Sequence, residues 1–336
     1  MTTSPVAPRR TSVAQTTAPT VATGRTRAVE PADPVVVLDG LTKRYGDRVA
    51  VDRLTLAIPR GAVAGFVGPN GAGKTTAMAM LLGLVRPSAG RGTVLGEPIT
   101  QPSRYLRRVG ALIEGPGFYP GLTGAENLRV LAAIGGHDVR EIPEILALVG
   151  LADRGRDRFR QYSLGMKQRL GIAGALLGDP ELVILDEPTN GLDPAGISEM
   201  RQLITTIAAR GRTVLVSSHL LAELEQVCDW LLIMDRGRLV YQGPTASLAD
   251  RASATVSLTP EHPADLDRLA RLLTDAGYPA RRRDAELVVE LAADADDRSA
   301  AALNRLAHEA GIVLAGLHRR RASLERHVLD LIGADR

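Results

Sequence analysis

Residues 68–76 read GPNGAGKTT, set between the apolar run AVAGFV and the helix-like AMAMLLGLV. Gly68, Gly73, Lys74 and Thr75 meet the spacing GxxxxGK(S/T), with Gly71 loosening the middle of the loop. A loop that wraps a polyphosphate must turn its backbone N–H groups inward, which needs unusual dihedrals and leaves no room for side chains near the oxygens. Gly68, Pro69, Asn70, Gly71, Ala72 and Gly73 are the candidate loop positions. A helix beginning near Gly73, with Lys74, Thr75 and Thr76 in its first turn, aims unpaired N–H groups and its positive dipole end at the same anion. Lys74 is placed to reach the β- and γ-phosphates and Thr75 to offer a hydroxyl to Mg²⁺.

A second set of candidates lies in ELVILDEPTNGLDP, where Asp186 and Glu187 directly follow an apolar run. One carboxylate would hold the Mg²⁺ shell while the next orients and deprotonates the water that attacks the γ-phosphate. The run TVLVSS ends at His219, which puts another polar group at the end of an apolar segment. Tyr45 precedes the turn-forming Gly46 and Asp47, and an exposed ring beside the phosphate loop can stack on a base.

These side chains need elements to carry them. The apolar run before Asp186 suits a central parallel strand buried on both faces, and ligands sit at the carboxyl ends of such strands. Ahead of the loop, VVVLDGLTKRYGDRVAVDRLTLAIPRG predicts two strands, and LLIMDRGRLVYQGP predicts a hairpin turning at Asp235 to Gly237. Thr123 and Glu126 form a capping-box pattern opening a helix at ENLRVLAAI, and EIPEILALVGL has helical spacing. From about residue 250 the texture shifts to Ala, Asp and Arg, with strand candidates near 254–258, 286–291 and 312–317 alternating with helical stretches.

Composition sets the outer bounds. A chain of 336 residues, 45% hydrophobic and 24% charged, is long enough for two domains with sizeable cores. Its longest apolar runs fall far short of the roughly 20 residues that cross a bilayer, so any membrane business is conducted through a partner. A formal charge of +3 gives no basic field for nucleic-acid binding, and the clusters Arg281 to Arg283 and Arg319 to Arg321 read as solvated faces. The single cysteine, Cys228, excludes an internal disulfide and reads as a packed apolar residue. Residues 1–33 show no periodicity and no apolar stretch of the secretory kind, and are expected to be a disordered tail.

With these motifs in this order, residues 35–250 resemble the nucleotide-binding subunit of ABC transporters. GPNGAGKTT matches the Walker A motif, LVILDEP the Walker B motif with its following glutamate, and Asn190 to Asp193 the D-loop. His219 falls where that family has its switch histidine, Tyr45 where it has the adenine-stacking aromatic, and YSLGMKQRL, residues 162–170, looks like its signature motif. The resemblance implies an α/β P-loop NTPase core with an N-terminal antiparallel β subdomain, a helical subdomain at about 115–178 with its helices from about 122, and a small C-terminal α+β appendage. The implied division is tail 1–33, ATP-binding domain 34–249 and accessory domain 250–336. ATP and Mg²⁺ are the implied cofactors, with Glu187 as general base, His219 as γ-phosphate partner, and Lys74, Thr75 and Asp186 positioning phosphates and metal. Two copies, identical or paralogous, would close face to face, each presenting Ser163 and Gly165 to the other's nucleotide, with Asp193 a further cofactor-binding candidate.

Two departures from the family pattern stand out. The signature usually reads LSGGQ, whereas Tyr162, Leu164 and Met166 replace three of those positions and leave Ser163 and Gly165. Glu114 stands where the family mostly has a glutamine that senses γ-phosphate and Mg²⁺, which makes it a further candidate metal ligand. The stretch LIEGPGFYPGLTGAENL is similar to ATPases of bacitracin- and lantibiotic-type exporters, and LHRRRASLERHVLDLIG resembles the closing helix of ABC-2-type export ATPases. The expectation is an ATPase driving efflux, with a place in antibiotic resistance, through a separate ABC-2-type permease at the cytoplasmic face of the membrane. Phe118 and Tyr119 are candidate permease contacts. The alternative is a soluble ABC ATPase acting on ribosomes or nucleic acid, against which stand the single cassette and the lack of long coiled coils.

Overall fold

The computed structural model describes residues 33–251, 254–291 and 297–321. The expected tail therefore lies, apart from Asp33, outside the described residues. Strands β1 (Pro34–Tyr45) and β2 (Arg48–Pro59) pair antiparallel across the Gly46–Asp47 turn, followed by β3 (Val63–Val67) and helix α1 (Lys74–Leu81). Next come β4 (Ala89–Val94), β5 (Glu97–Pro98) and β6 (Val109–Leu112), then the helices α2 (Gly124–Gly135), α3 (Ile142–Leu148) and α4 (Leu164–Ala175). Strand β7 (Leu182–Leu185), α5 (Pro194–Ala209), β8 (Thr213–Ser218), α6 (Leu221–Leu224), β9 (Trp230–Asp235), β10 (Arg238–Pro244) and α7 (Thr245–Arg251) complete this part.

The central sheet has the order β10-β9-β3-β8-β7-β6. Its strands from β9 to β6 run parallel and only β10 is antiparallel. Every residue of β3, β7 and β8 is buried, as expected for strands covered on both faces. One face packs on α5 and the helices α2 to α4, through residues such as Leu170, Val183, Ile204 and Val214. The other meets α1 and a smaller antiparallel sheet, β2-β1-β4-β5, through Phe66, Met78, Leu38 and Ile184. Edge strand β6 interrupts its apolar run with Gly110, where a Cβ would sit 1.7 Å from the carbonyl oxygen of Ala175, so only glycine lets α4 approach.

The α2 cap forms as the sequence pattern predicts. Thr123 Oγ1 accepts from Glu126 N–H at 3.2 Å and Glu126 Oε2 accepts from Thr123 N–H at 2.8 Å. That backbone hydrogen bond holds the Glu126 carboxyl below the usual range.

A separate core organises the remainder. Strand β11 (Ala254–Pro260), α8 (Leu266–Asp275), β12 (Ala280–Arg283), β13 (Glu286–Leu291), α9 (Asp297–Glu309) and β14 (Leu314–Arg321) make an antiparallel sheet in the order β12-β13-β11-β14. This is the ferredoxin-like βαββαβ arrangement, with Leu269 and Leu273 of α8 and Leu303 of α9 packed on Val256, Leu258 and Val289. Two details differ from the sequence expectation. Arg281 to Arg283 are exposed, as a solvated face should be, but form a strand, β12, that had no apolar signal, and Leu317 to Arg321 belong to β14 rather than to a closing helix, because they pair with Ala254–Leu258. The rest of that stretch, from residue 322, lies outside the described residues.

Cys228 is 6% exposed and its Sγ packs against Gly65 of β3. Burial pushes its thiol well above the ordinary range. The native chain is therefore expected to be unreactive toward an aromatic disulfide reagent at pH 8 and to release one equivalent of chromophore on unfolding in guanidinium, measured by absorbance.

Candidate functional site

The carboxyl ends of β3, β7 and β8 meet around a cavity of about 390 Å³ lined by Arg48, Ala50, residues 70–76, Glu187, Asn190 and His219. The loop leaving β3 forms its floor. At Gly68 a Cβ would lie 2.4 Å from the carbonyl oxygen of Met234, and at Gly73, where φ is 103°, it would lie 2.5 Å from that of Ala50. At Gly71, φ 82°, a Cβ would meet only Arg48 Nη2, at 4.0 Å. Two glycines thus answer to close packing beneath the loop and one to backbone conformation alone. Helix α1 begins at Lys74 with Gly73 as its cap and no side chain on its first N–H groups, which leaves those donors directed at the cavity.

Lys74 is only 6% exposed. Its Nζ donates to Gly68 O at 2.6 Å and lies 3.4 Å from Glu187 Oε1. His219 Nδ1 lies 2.9 Å from Glu187 Oε2. One carboxylate therefore stands between an ammonium and an imidazole at the mouth of an anion cradle. Glu187 takes the left-handed φ of 49°, a conformation that costs a non-glycine residue about 1 kcal/mol or more, and its N–H is held by Ser217 Oγ at 2.9 Å.

Ser217 also donates to Asp186 Oδ1 at 2.5 Å, and Thr75 donates to Asp186 Oδ2 at 2.8 Å. The pairing of Thr75 and Asp186 offers hard oxygen donors of the kind Mg²⁺ takes. No cluster of three His, Cys, Asp or Glu side chains among the described residues could cage a metal. That donor set fits an ion that keeps most of its waters and shares substrate phosphates.

The other sequence candidates fall at several distances from this centre. Tyr45 is 48% exposed at the end of β1 with Lys43 Nζ 4.8 Å above its ring. It does not line the cavity, whereas Arg48, its partner across the turn, does. Ser163 caps α4, accepting from Met166 N–H at 3.3 Å, and Asp193 caps α5, accepting from Gly196 N–H at 2.9 Å. Leu164, 46% exposed, packs beside Gly191, so the segment around Ser163 and Gly165 neighbours the loop after β7 without reaching the cavity of its own chain. Glu114 is the clearest divergence from expectation. It is exposed at φ 57° on the turn after β6 and does not line the cavity.

Arg48 and Ser217 were not legible as site residues. Ser217 had a faint signal, a hydroxyl at the end of an otherwise apolar strand. Arg48 had none, since only strand register brings it over the loop.

Residues 51–190 match the ABC transporter family. Bacitracin transport ATP-binding protein BcrA of Bacillus licheniformis is 47% identical over 220 residues, covering 65% of this chain and 72% of that protein. Lantibiotic transport ATP-binding protein SrtF of Streptococcus pyogenes is 40% identical over 205 residues, covering 61% of this chain and 89% of that protein. Among solved structures, an ATP-binding subunit of an ABC transporter superposes with a TM-score of 0.57 at 31% identity, over 64% of this chain and 91% of its own. The cbiO1 structure from Clostridium perfringens, part of a cbiONQ transporter complex, gives 0.59 at 26% identity, over 64% and 90%.

Arg48 has no hydrogen bond or ion pair to an acidic residue among those described, so its charge is uncommitted beside the loop. Arg48→Ala is expected to weaken binding of a triphosphate about tenfold, in keeping with loss of one charge-assisted contact, with a smaller loss at high salt. Calorimetric titration at two ionic strengths checks this.

Proposed function

The chain belongs to the ATP-binding subunits of ABC transporters, and from that premise we propose that it binds ATP on the loop of residues 68–76 and hydrolyses it to drive export through a separate membrane permease. The observation that carries the hydrolytic reading is the position of Glu187, 3.4 Å from Lys74 Nζ and 2.9 Å from His219 Nδ1, at the mouth of the phosphate cradle.

Each group then has a task its surroundings suit. The inward N–H groups of the loop and of α1 hold the phosphate chain. Lys74 leaves its carbonyl partners for the β- and γ-phosphates. Thr75 and Asp186 would hold Mg²⁺, which when bound supplies positive charge against the phosphate oxygens. Glu187 accepts the proton of the attacking water, and His219 steadies that carboxylate and meets the γ-phosphate. Tyr45 offers its exposed face to the base.

Two copies close face to face in this account. Ser163 and Gly165, at the N-terminus of α4 and away from their own cavity, meet the γ-phosphate bound by the other subunit. ATP favours the closed pair, and loss of the γ-phosphate releases it. No helix among the described residues is long and apolar enough to cross a membrane, so the work is delivered to a partner. A groove of about 490 Å³ beside β6, lined by Ile113, Phe118, Leu131 and Ile134, with Tyr119 61% exposed nearby, is the surface we assign to an ABC-2-type permease at the cytoplasmic face. The bacitracin and lantibiotic names of two relatives support antibiotics as the exported class. No observation favours a ribosome- or nucleic-acid-directed ATPase.

Glu187→Gln is expected to lower steady-state phosphate release by about a hundredfold or more while leaving ATP affinity intact, and to accumulate an ATP-bound dimer on size-exclusion chromatography. Unchanged turnover would remove Glu187 from the role of base. Lys74→Ala should instead lose ATP binding itself, read by titration calorimetry; unaltered affinity would contradict the reading of the loop.

A further inference from the structure

The phosphate loop rests on the turn between β9 and β10, and that turn is tied to β2 by a charge pair that no part of the hydrolytic mechanism uses. Arg236 and Gly237 make a two-residue connection with φ 45° and 83°, the pattern of a tight hairpin turn. Gly237 N–H donates to Ala72 O at 2.9 Å, inside the phosphate loop, and Gly237 O accepts from Asp52 N–H at 2.8 Å. One glycine thus bonds the loop on one side and β2 on the other. A Cβ there would lie 2.9 Å from Ala50 O. Met234, the residue before Asp235, sets its carbonyl under Gly68 and its Cε against Gly73.

The side chains reinforce this junction. Arg238 donates through Nε to Asp52 Oδ2 at 2.7 Å, and its Nη2 lies 2.6 Å from the same oxygen. Arg53 Nε lies 3.4 Å from Asp52 Oδ1. A cavity of about 480 Å³, lined by Asp52, Arg236, Arg238 and Leu239 among others, borders the pair. The carboxylate–guanidinium contact therefore stands beside open space and adds a side-chain tie to the backbone bond between Asp52 and Gly237.

We infer that Asp52, Gly237 and Arg238 are positioning residues for the phosphate loop: the Asp52–Arg238 pair latches the β9–β10 turn to β2, and the latched turn fixes the Ala72 peptide so that the loop is shaped for phosphate before ligand arrives. Fixing a loop in its bound form raises affinity by removing the entropy cost of ordering it. The latch also joins the hairpin carrying Tyr45 and Arg48 to the loop, so base and phosphate contacts keep one spacing. The inference rests on the reading of the cavity as the ATP site and adds to it a device that sets affinity.

The test compares the full-length wild-type chain with Arg238→Gln, Asp52→Asn and Gly237→Ala, and with Arg282→Gln as a control that breaks a distant pair, Arg282–Asp267. ATP affinity is measured by calorimetry, kcat and KM by phosphate release, and amide exchange over residues 68–76 by mass spectrometry without nucleotide. Opening the half-exposed pair is expected to raise Kd and KM about two- to fivefold, with kcat and the unfolding midpoint near wild type and faster exchange confined to the loop and turn. Gly237→Ala is expected to raise Kd about tenfold, because an L residue is strained at φ 83° and its Cβ would press on Ala50 O, displacing the turn under the loop; should that variant not fold, the two polar variants decide. Arg238→Lys should restore part of the affinity, and the control should change nothing at the loop. Wild-type affinity and exchange in both polar variants would overturn the latch. Failure of the wild-type chain to bind ATP at all would overturn the cavity reading, and the latch with it.

Discussion

The hydroxyl of Ser217 is the contact on which the chemistry of this fold depends. It donates to Asp186 and accepts from the N–H of Glu187, and so joins the ends of two neighbouring parallel strands. The second bond satisfies the Glu187 N–H at a positive φ. Thr75 closes the same network from the first turn of α1, so the phosphate loop, the carboxylate pair and the histidine strand share one buried polar junction. A junction of this kind holds its geometry because each oxygen and hydroxyl in it is satisfied.

The parallel sheet explains why the groups arrive together. Strands β3, β8 and β7 lie side by side with their carboxyl ends at one edge, and every one of their residues is buried, so none can slip register without exposing a core. The loop, Asp186 with Glu187, and His219 each begin within a few residues of a strand end. Beneath them, the antiparallel sheet brings Arg48 and Ala50 to the cavity and Asp52 to the β9–β10 turn. Function is thus set by a rigid scaffold that places short polar segments.

Much of this was legible in the sequence because its signals are local. The glycines of residues 68–73 announce a backbone that must turn inward, the apolar run before Asp186 announces a doubly covered strand, and Thr123 with Glu126 announces a helix start. What stayed hidden depended on pairing across the chain. Ser217 binds Asp186 from another strand, Arg48 reaches the cavity through hairpin register, and Gly237 meets Ala72 through a turn that reads as any hairpin. Short edge strands also gave no signal: β6 is broken by Gly110, and β12 is three arginines after an alanine. Glu114, a metal candidate from its place in a family pattern, lies on the turn after β6, exposed and outside the cavity lining. The strand at Leu317 to Arg321 likewise owes its form to its partner β11 and not to its own residues.

The most direct test of the central claim, that these strand ends build a site for ATP hydrolysis, is to titrate the purified full-length chain with ATP and follow binding and phosphate release in parallel, with Mg²⁺ and with a chelator. Saturable binding is expected in both conditions and phosphate release only with Mg²⁺. Absence of saturable ATP binding, or release that proceeds equally with all divalent metal chelated, would contradict it.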